Sequence, residues 1–301
     1  MSRDPRLHPQ ALAALVEAED LDPLATVPDD EIAEVREEQR EAGLAEPKEP
    51  VHEVRDLEVG GVPCRLHRPS AGTLPVVLYL HGGGFVLGDL ETHDAQARRL
   101  ANRTGWAVLA ADYRRPPEHR FPAALDDSVA ALDGLLTDAD ALGLDPARVV
   151  VAGDSAGGNL AVGVARRRPG TLAGALLVYP FLDPETASAS YSSLDGGLDR
   201  ADARWFWDHY APDGVDRADP DLAPLRATDL GSLPPTLVQV AECDTLADEV
   251  EAFVRLARSQ GAQVEDTLHA GMIHGFWRRP AEFDAAEVAL DEAARWLARL
   301  G

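Results

Sequence analysis

Short apolar runs alternate with helical patterns along most of the 301-residue chain, and this alternation constrains the fold more than any other feature. Continuous apolar runs of this length are typical of strands buried on both faces of a sheet. They cover residues 75–80, 106–111, 148–152, 172–178 and 236–241, and a further strand is predicted at 262–268. Helical patterns between them supply the crossovers that parallel strands need, so we predict a mostly parallel central sheet with helices on both faces.

The remaining chain falls into three kinds of segment. Residues 51–59 and 62–67 read as an antiparallel strand pair joined at Gly60 and Gly61, whereas residues 10–46 read as acidic helices. Residues 183–235 contain no clear buried strand and carry aromatic residues from Trp205 to Tyr210. Long insertions between core strands commonly act as lids. We therefore predict an N-terminal helical cap segment at 1–50, a core formed by 51–182 and 236–301, and a cap insertion at 183–235.

The charge balance limits the partners of the chain. There are 52 acidic against 28 basic residues, a net charge of −24, and Lys48 is the only lysine. Such a surface repels nucleic acid and anionic membranes. With no apolar run of about 18 residues and no signal segment, we expect a cytoplasmic protein. The acidic excess also resembles proteins from salt-loving organisms, although an ordinary acidic protein encoded by a GC-rich genome would share it.

One motif points to a nucleophile. Residues 153–158 read Gly-Asp-Ser-Ala-Gly-Gly, directly after the predicted strand 148–152 and at the start of a helix. A serine in this strand–turn–helix context sits on a tight, strained turn, which requires small residues two positions before and after it. The hydroxyl of Ser155 then lies at a helix N-terminus, where negative charge is favoured.

A second motif supplies backbone donors. Residues 81–84 read His-Gly-Gly-Gly and follow the predicted strand 75–80. Glycines allow bare backbone to approach a ligand and to direct N–H groups at one point. We predict that the N–H groups of Gly82, Gly83 and Ala156 bind the oxyanion of a tetrahedral intermediate.

A nucleophilic serine needs a base, and the base needs a carboxylate to orient it. In the chain order Ser–Asp–His, the carboxylate follows the predicted strand 236–241, where Asp244 and Asp248 are the alternatives. The base follows the strand 262–268, where His269 and His274 are the alternatives. We favour Asp244 and His274, because both fall in loops beyond their strands.

Together these motifs resemble the hormone-sensitive-lipase family of microbial esterases, from about Val51 to the end of the chain. The resemblance rests also on residues 112–118 (Asp-Tyr-Arg-Arg-Pro-Pro-Glu), 244–249 (Asp-Thr-Leu-Ala-Asp-Glu) and 274–276 (His-Gly-Phe). It implies an α/β-hydrolase fold, cleavage of short- to medium-chain esters, Ser155 as nucleophile, His274 as general base and then acid, and Asp244 as the orienting carboxylate. It also makes a homodimer plausible.

Two other functions stay open. A non-catalytic ligand receptor can share this fold, but receptors of that kind have lost the catalytic histidine, whereas His274 is present. An amidase or deformylase would use the same three residues. No histidine pair has metal-ligand spacing, so neither a metal nor another cofactor is expected, and Cys64 and Cys243 are expected to be free thiols.

Overall fold

The computed structural model describes residues 4–20, 22–194 and 196–300; residues 1–3, 21, 195 and 301, which fall within the predicted segments, lie outside this description. Eight strands form one sheet in the order β1-β2-β4-β3-β5-β6-β7-β8. They are β1 (Glu53–Val59), β2 (Val62–Arg68), β3 (Leu74–Leu80), β4 (Ala107–Ala111), β5 (Leu144–Asp154), β6 (Gly174–Val178), β7 (Thr236–Ala241) and β8 (Val264–His269). Each of the five apolar runs, and the further predicted strand 262–268, contributes a strand to this sheet.

Strand directions match the prediction from the alternating pattern. The strands β4, β3, β5, β6, β7 and β8 are parallel to their neighbours, whereas β2 runs antiparallel to both β1 and β4. Every residue of β3, β4, β6 and β7 is buried. The fold class is therefore confirmed as α/β, with a mostly parallel sheet.

Helices cover both faces of the sheet because side chains alternate along each strand. In β3, Val76, Leu78 and Leu80 face one hydrophobic core, and Val77 and Tyr79 face the other. The first core is completed by α4 (Ala123–Leu142), α5 (Ala156–Arg167) and α8 (Ala247–Ser259), and the second by α3 (Asp94–Thr104) and α9 (Asp284–Leu297). Among the described helices, none is long and apolar enough to cross a membrane.

Two segments contribute no strand to the sheet within their described residues. Residues 4–50 carry α1 (Pro9–Glu17) and α2 (Ile32–Ala45), and residues 183–235 carry α6 (Ser190–Ser193) and α7 (Arg200–Tyr210). The two segments bind each other: the indole of Trp205 donates to the carbonyl of Val27 at 3.2 Å, and the amide of Ala25 donates to the Asp202 carboxylate at 2.7 Å. We call these two segments together the outer layer.

A buried carboxylate joins α3 to β2. Asp94 accepts hydrogen bonds from His67 on β2 at 2.8 Å and from Arg98 at 2.7 Å, and it lies 3.4 Å from Arg65. Burial alone would raise the pKa of Asp94, but these hydrogen bonds outweigh it and hold the pKa well below its usual range. The ionised carboxylate therefore stabilises the folded state at neutral pH.

Candidate active site

Ser155 occupies a strained turn between β5 and α5. Its backbone has φ +54° and ψ −120°, a region that residues with a side chain rarely adopt. The turn is fixed by backbone hydrogen bonds: the N–H of Ser155 donates to the carbonyl of Val178 at 2.9 Å, and its own carbonyl accepts from Phe181 at 3.0 Å. The surrounding sheet thus overcomes the strain and holds the hydroxyl at the carboxyl end of β5.

Steric crowding explains why glycines flank the serine at two positions. A Cβ atom on Gly153 would lie 2.2 Å from the carbonyl oxygen of Gly157, and one on Gly157 would lie 1.9 Å from that of Leu80. Both contacts are with backbone atoms, which cannot move without disturbing β3 or α5. The requirement for small residues that the sequence predicts is met at both positions.

The structure brings Ser155, His274 and Asp244 together from three separate loops. The Nε2 atom of His274 lies 3.0 Å from the Oγ atom of Ser155, and its Nδ1 atom lies 2.8 Å from Oδ2 of Asp244. The Asp244 carboxylate is only 1% exposed, and its second oxygen accepts the N–H of Leu246 at 2.9 Å. These distances allow a proton to pass from the hydroxyl to the imidazole while the carboxylate orients the ring.

The alternatives to these two residues lie elsewhere. The carboxylate of Asp248 accepts the backbone N–H of Ser190 at 2.8 Å and makes no contact with a histidine among the described residues. The imidazole of His269 is buried beside Phe276 and lies 3.5 Å from the carboxylate of Glu292. Both residues therefore have structural partners away from Ser155.

The loops that carry Asp244 and His274 are held against each other. The N–H of Cys243 donates to the carbonyl of Met272 at 2.8 Å, so the two loops are joined one or two residues from the paired side chains. The outer layer adds two further contacts. The N–H of His274 donates to the carbonyl of Gly196 at 2.8 Å, and the Thr245 hydroxyl donates to the carbonyl of Leu198 at 2.6 Å. Residues 183–235 thus help to fix the loops of the site.

The structure corrects one predicted oxyanion donor. The N–H of Gly82 donates to Oδ1 of Asp154 at 3.0 Å. This bond holds the loop of residues 81–84, which we call the glycine loop, so the N–H is already used. In contrast, Gly83 and Gly84 line the same cavity as Ser155. Within the described chain, no acceptor lies on the N–H groups of Gly83, Gly84 or Ala156. Gly84 was missed from the sequence because three consecutive glycines look alike until the path of the loop is known.

The carboxylate of Asp154, next to Ser155, is buried and contacts several segments of the site. Its carboxylate accepts the Tyr79 hydroxyl at 2.7 Å in addition to the N–H of Gly82, and its Oδ2 atom lies 3.7 Å from Nε of Arg278. It therefore connects the serine turn, the glycine loop and the segment that follows His274.

A cavity of about 200 Å³ opens above Ser155 and His274. Side chains from the outer layer form part of its wall, including Leu24, Leu198 and Phe206. The other apolar lining residues are Leu87, Tyr179 and Phe181, and the polar ones include Gln39, Asp154 and Arg278. Nothing in the sequence pattern indicated Leu24, Gln39 or Arg278, because they reach the site only through tertiary packing. No group of three His, Cys, Asp or Glu side chains suited to a metal ion occurs in the described ranges.

Comparison with known proteins agrees with this geometry. Residues 77–278 match the sequence model of a family described by its α/β-hydrolase fold. The chain belongs to that family. This α/β-hydrolase is 39% identical over 266 residues to the carboxylic ester hydrolase LipN of Mycobacterium tuberculosis, covering 82% of this chain and 71% of the relative. It is 35% identical over 242 residues to an ethyl acetate hydrolase of Pseudomonas putida, covering 76% of each chain.

Solved structures extend the likeness to nearly the whole α/β-hydrolase chain. A hyperthermophilic esterase from the archaeon Pyrobaculum calidifontis superposes with a TM-score of 0.89 at 34% identity, covering 98% of this chain and 99% of the esterase. An α/β-hydrolase enzyme from the metagenome of Lake Arreo superposes with a TM-score of 0.88 at 35% identity and covers 97% of both chains. The outer layer is therefore included in the shared architecture.

Proposed function

We propose that this protein hydrolyses carboxylic esters through an acyl-enzyme formed on Ser155. The observation that carries the proposal is the continuous relay from Ser155 Oγ to His274 Nε2 at 3.0 Å and from His274 Nδ1 to Asp244 at 2.8 Å. This relay ends in the cavity beside unpaired backbone N–H groups of the glycine loop. An activated nucleophile, a base and oxyanion donors are the parts that acyl transfer requires.

The reaction runs in two halves. As Ser155 Oγ attacks the ester carbonyl carbon, His274 Nε2 takes the hydroxyl proton, and the N–H groups of Gly83, Gly84 and Ala156 bind the negative oxygen. His274 then gives the proton to the leaving alcohol, which leaves an acyl group on Ser155. Water, deprotonated by the same imidazole, attacks the acyl group, and the acid departs as Oγ regains its proton. Asp244 stabilises the imidazolium in both halves.

The test is hydrolysis of p-nitrophenyl esters of increasing acyl length by the wild type and by Ser155→Ala. We expect turnover by the wild type and its loss in the variant, with at most about 10³-fold rate enhancement over water remaining. Binding of the esters without turnover by the wild type would instead indicate a receptor. Faster cleavage of matched p-nitroanilides than of esters would indicate an amidase.

The size of the cavity favours small substrates. Its volume of about 200 Å³ is below the ~300–1,000 Å³ of sites for drug-sized ligands. Aromatic and aliphatic side chains such as Phe181 and Phe206 form one wall, which suits an alkyl or aryl group. We therefore assign short- to medium-chain esters as the substrate class. The outer layer, at 1–50 and 183–235, is assigned as a cap over this cavity.

We further propose a cytoplasmic protein that is halophilic, and the acidic excess supports the second part of this proposal. A net charge of −24 destabilises a compact chain through self-repulsion, and molar salt screens that repulsion. We expect both the melting temperature and the esterase activity to rise between dilute buffer and molar KCl. Equal stability in both conditions would contradict the halophilic assignment.

We also propose a homodimer that forms through one edge of the sheet. The strand β8 lies at one end of the sheet, and Leu268 on this strand is 55% exposed. An unpaired edge with an exposed apolar side chain is suited to pairing with a second copy. Sedimentation at micromolar concentration tests this, and Leu268→Lys should shift the protein to monomers.

A further inference from the structure

A second cavity of about 390 Å³ lies beneath α2 and borders the cavity above Ser155. The two cavities share Gln39, Gly83 and Arg278 as lining residues. The second one, which we call the polar arm, is also lined by Glu46, Thr92 and His93. A chamber lined by hydrogen-bonding groups therefore lies next to the cavity in which an ester would bind at Ser155.

Arg278 lines both cavities and has N–H donors that no acceptor occupies within the described chain. A guanidinium carries five N–H donors, but here one nitrogen donates to the carbonyl of Thr92 at 3.4 Å and Nε lies 3.7 Å from Asp154, too far for a hydrogen bond. The carboxylate of Asp154 already accepts from Tyr79 and Gly82. The Arg278 side chain is 35% exposed although it lies in the cavity wall. It is thus anchored by charge while most of its donors lack an acceptor within the described chain.

A second polar group in the polar arm also lacks a partner. The imidazole of His93 is 3% exposed, and its Nε2 atom has no hydrogen-bond partner among the described residues. Burial and the nearby positive charge of Arg278 lower the pKa of His93 well below its ordinary value, so the ring is neutral. The Nε2 atom of His93 is buried and lies 3.9 Å from Oδ2 of Asp154, so in the polar arm the N–H donors open to a ligand are those of Arg278.

The charges around the polar arm select the kind of ligand. Glu46 faces the same chamber as Arg278, and Asp154 lies beside the guanidinium. A substrate carboxylate would be attracted by Arg278 but repelled by both acidic groups. An uncharged carbonyl oxygen accepts hydrogen bonds from the guanidinium without that repulsion.

We propose that the polar arm binds an uncharged carbonyl group that the substrate carries beyond its scissile ester, and that Arg278 is the residue that selects for it. The natural substrates are then keto esters or diesters rather than plain alkyl esters. This assignment rests on the proposed esterase function.

The test compares matched esters by titration of the released acid. One pair is ethyl hexanoate and its analogue with a ketone at the fifth carbon of the acyl chain. The other pair is pentyl acetate and its analogue with a ketone at the fourth carbon of the alcohol. The first pair tests whether the acyl part of the ester enters the polar arm, and the second tests whether the alcohol part does. We expect the wild type to favour the ketone in one pair by about tenfold or more in kcat/KM, which is the effect of a hydrogen bond to a charged donor.

Arg278→Met should bring that ratio close to one, whatever the absolute rates on the two esters. Because the ratio compares two substrates of one preparation, it does not depend on how much of the variant folds. The matched control is Arg279→Met, which removes the neighbouring charge. Arg279 pairs with Glu282 and stacks on Phe283 outside the cavity, so the preference should persist.

Three outcomes would overturn the assignment. They are equal rates within both pairs for the wild type, a preference that survives Arg278→Met, and faster cleavage of monoethyl glutarate, which carries a carboxylate where the ketone analogue of ethyl hexanoate carries its ketone, than of that ketone analogue. Failure of the esterase function itself looks different, because then the wild type would cleave even the plain esters no faster than Ser155→Ala.

Discussion

Replacing Asp244 by asparagine should lower kcat by between about fivefold and about 10⁴-fold, because the structure limits how the new amide can lie. In the wild type, Oδ1 accepts the N–H of Leu246 at 2.9 Å and Oδ2 faces Nδ1 of His274 at 2.8 Å. If the amide oxygen keeps the Leu246 N–H, the amide nitrogen donates to Nδ1 of His274. The imidazole then carries its proton on Nε2 and cannot accept the one from Ser155.

The size of the loss follows from the alternatives open to the amide. A triad histidine held in the wrong tautomer lowers kcat by about 10⁴-fold, equivalent to about 5.4 kcal/mol at ~1.36 kcal/mol per decade. The amide could instead flip, so that its oxygen faces His274, but its NH₂ group would then face the N–H of Leu246. With Asp244 only 1% exposed, water cannot relieve that contact. A buried unsatisfied donor costs about 1–3 kcal/mol, so even this route loses at least about fivefold.

The assay is kcat for a p-nitrophenyl ester, normalised to folded protein. Asp248→Asn is the matched control, because Asp248 is exposed and its carboxylate accepts the N–H of Ser190, a bond that an amide oxygen can keep. We expect the control to stay within about threefold of the wild type. A loss smaller than fivefold in Asp244→Asn, or an equal loss in both variants, would refute the reasoning.

Three further predictions concern single positions. His274→Gln should abolish turnover and His269→Gln should retain it in the same ester assay, since only the former ring reaches Ser155; equal losses would contradict this. Gly84→Ala should lower kcat by about 10²-fold or more, because its Cβ would lie 2.1 Å from the Phe206 ring at φ +59°, and Phe206→Ala should recover part of the loss. Asp94→Asn should destabilise the protein to urea at pH 7. Because the folded-state pKa of Asp94 is lowered, the difference from the wild type should shrink as the pH falls below about 4, and a constant difference would argue against an ionised Asp94.

The sequence by itself determined the architecture and the nucleophile. Both are local properties: the apolar runs mark buried strands, and helical segments between them force parallel crossovers. The position of Ser155 follows from the same logic, since its turn excludes any Cβ atom at Gly153 and Gly157. Constraints that act within a few residues can be read from the chain directly.

Tertiary structure decided which distant residues meet. Asp244 and Asp248 both follow β7, and only folding shows that the first lies against His274 and the second against Ser190. Likewise, the path of the glycine loop around Asp154 uses up the N–H of Gly82 and leaves Gly84 facing the cavity.

The residues that choose the substrate also depend on tertiary structure. Arg278 lies four residues beyond His274, and no local pattern reveals that its guanidinium borders two cavities whose other walls come from α2 and residues 183–235. The physical reason is that side-chain contacts across many residues depend on packing of the whole chain, whereas strand, helix and turn signals depend on neighbours along it.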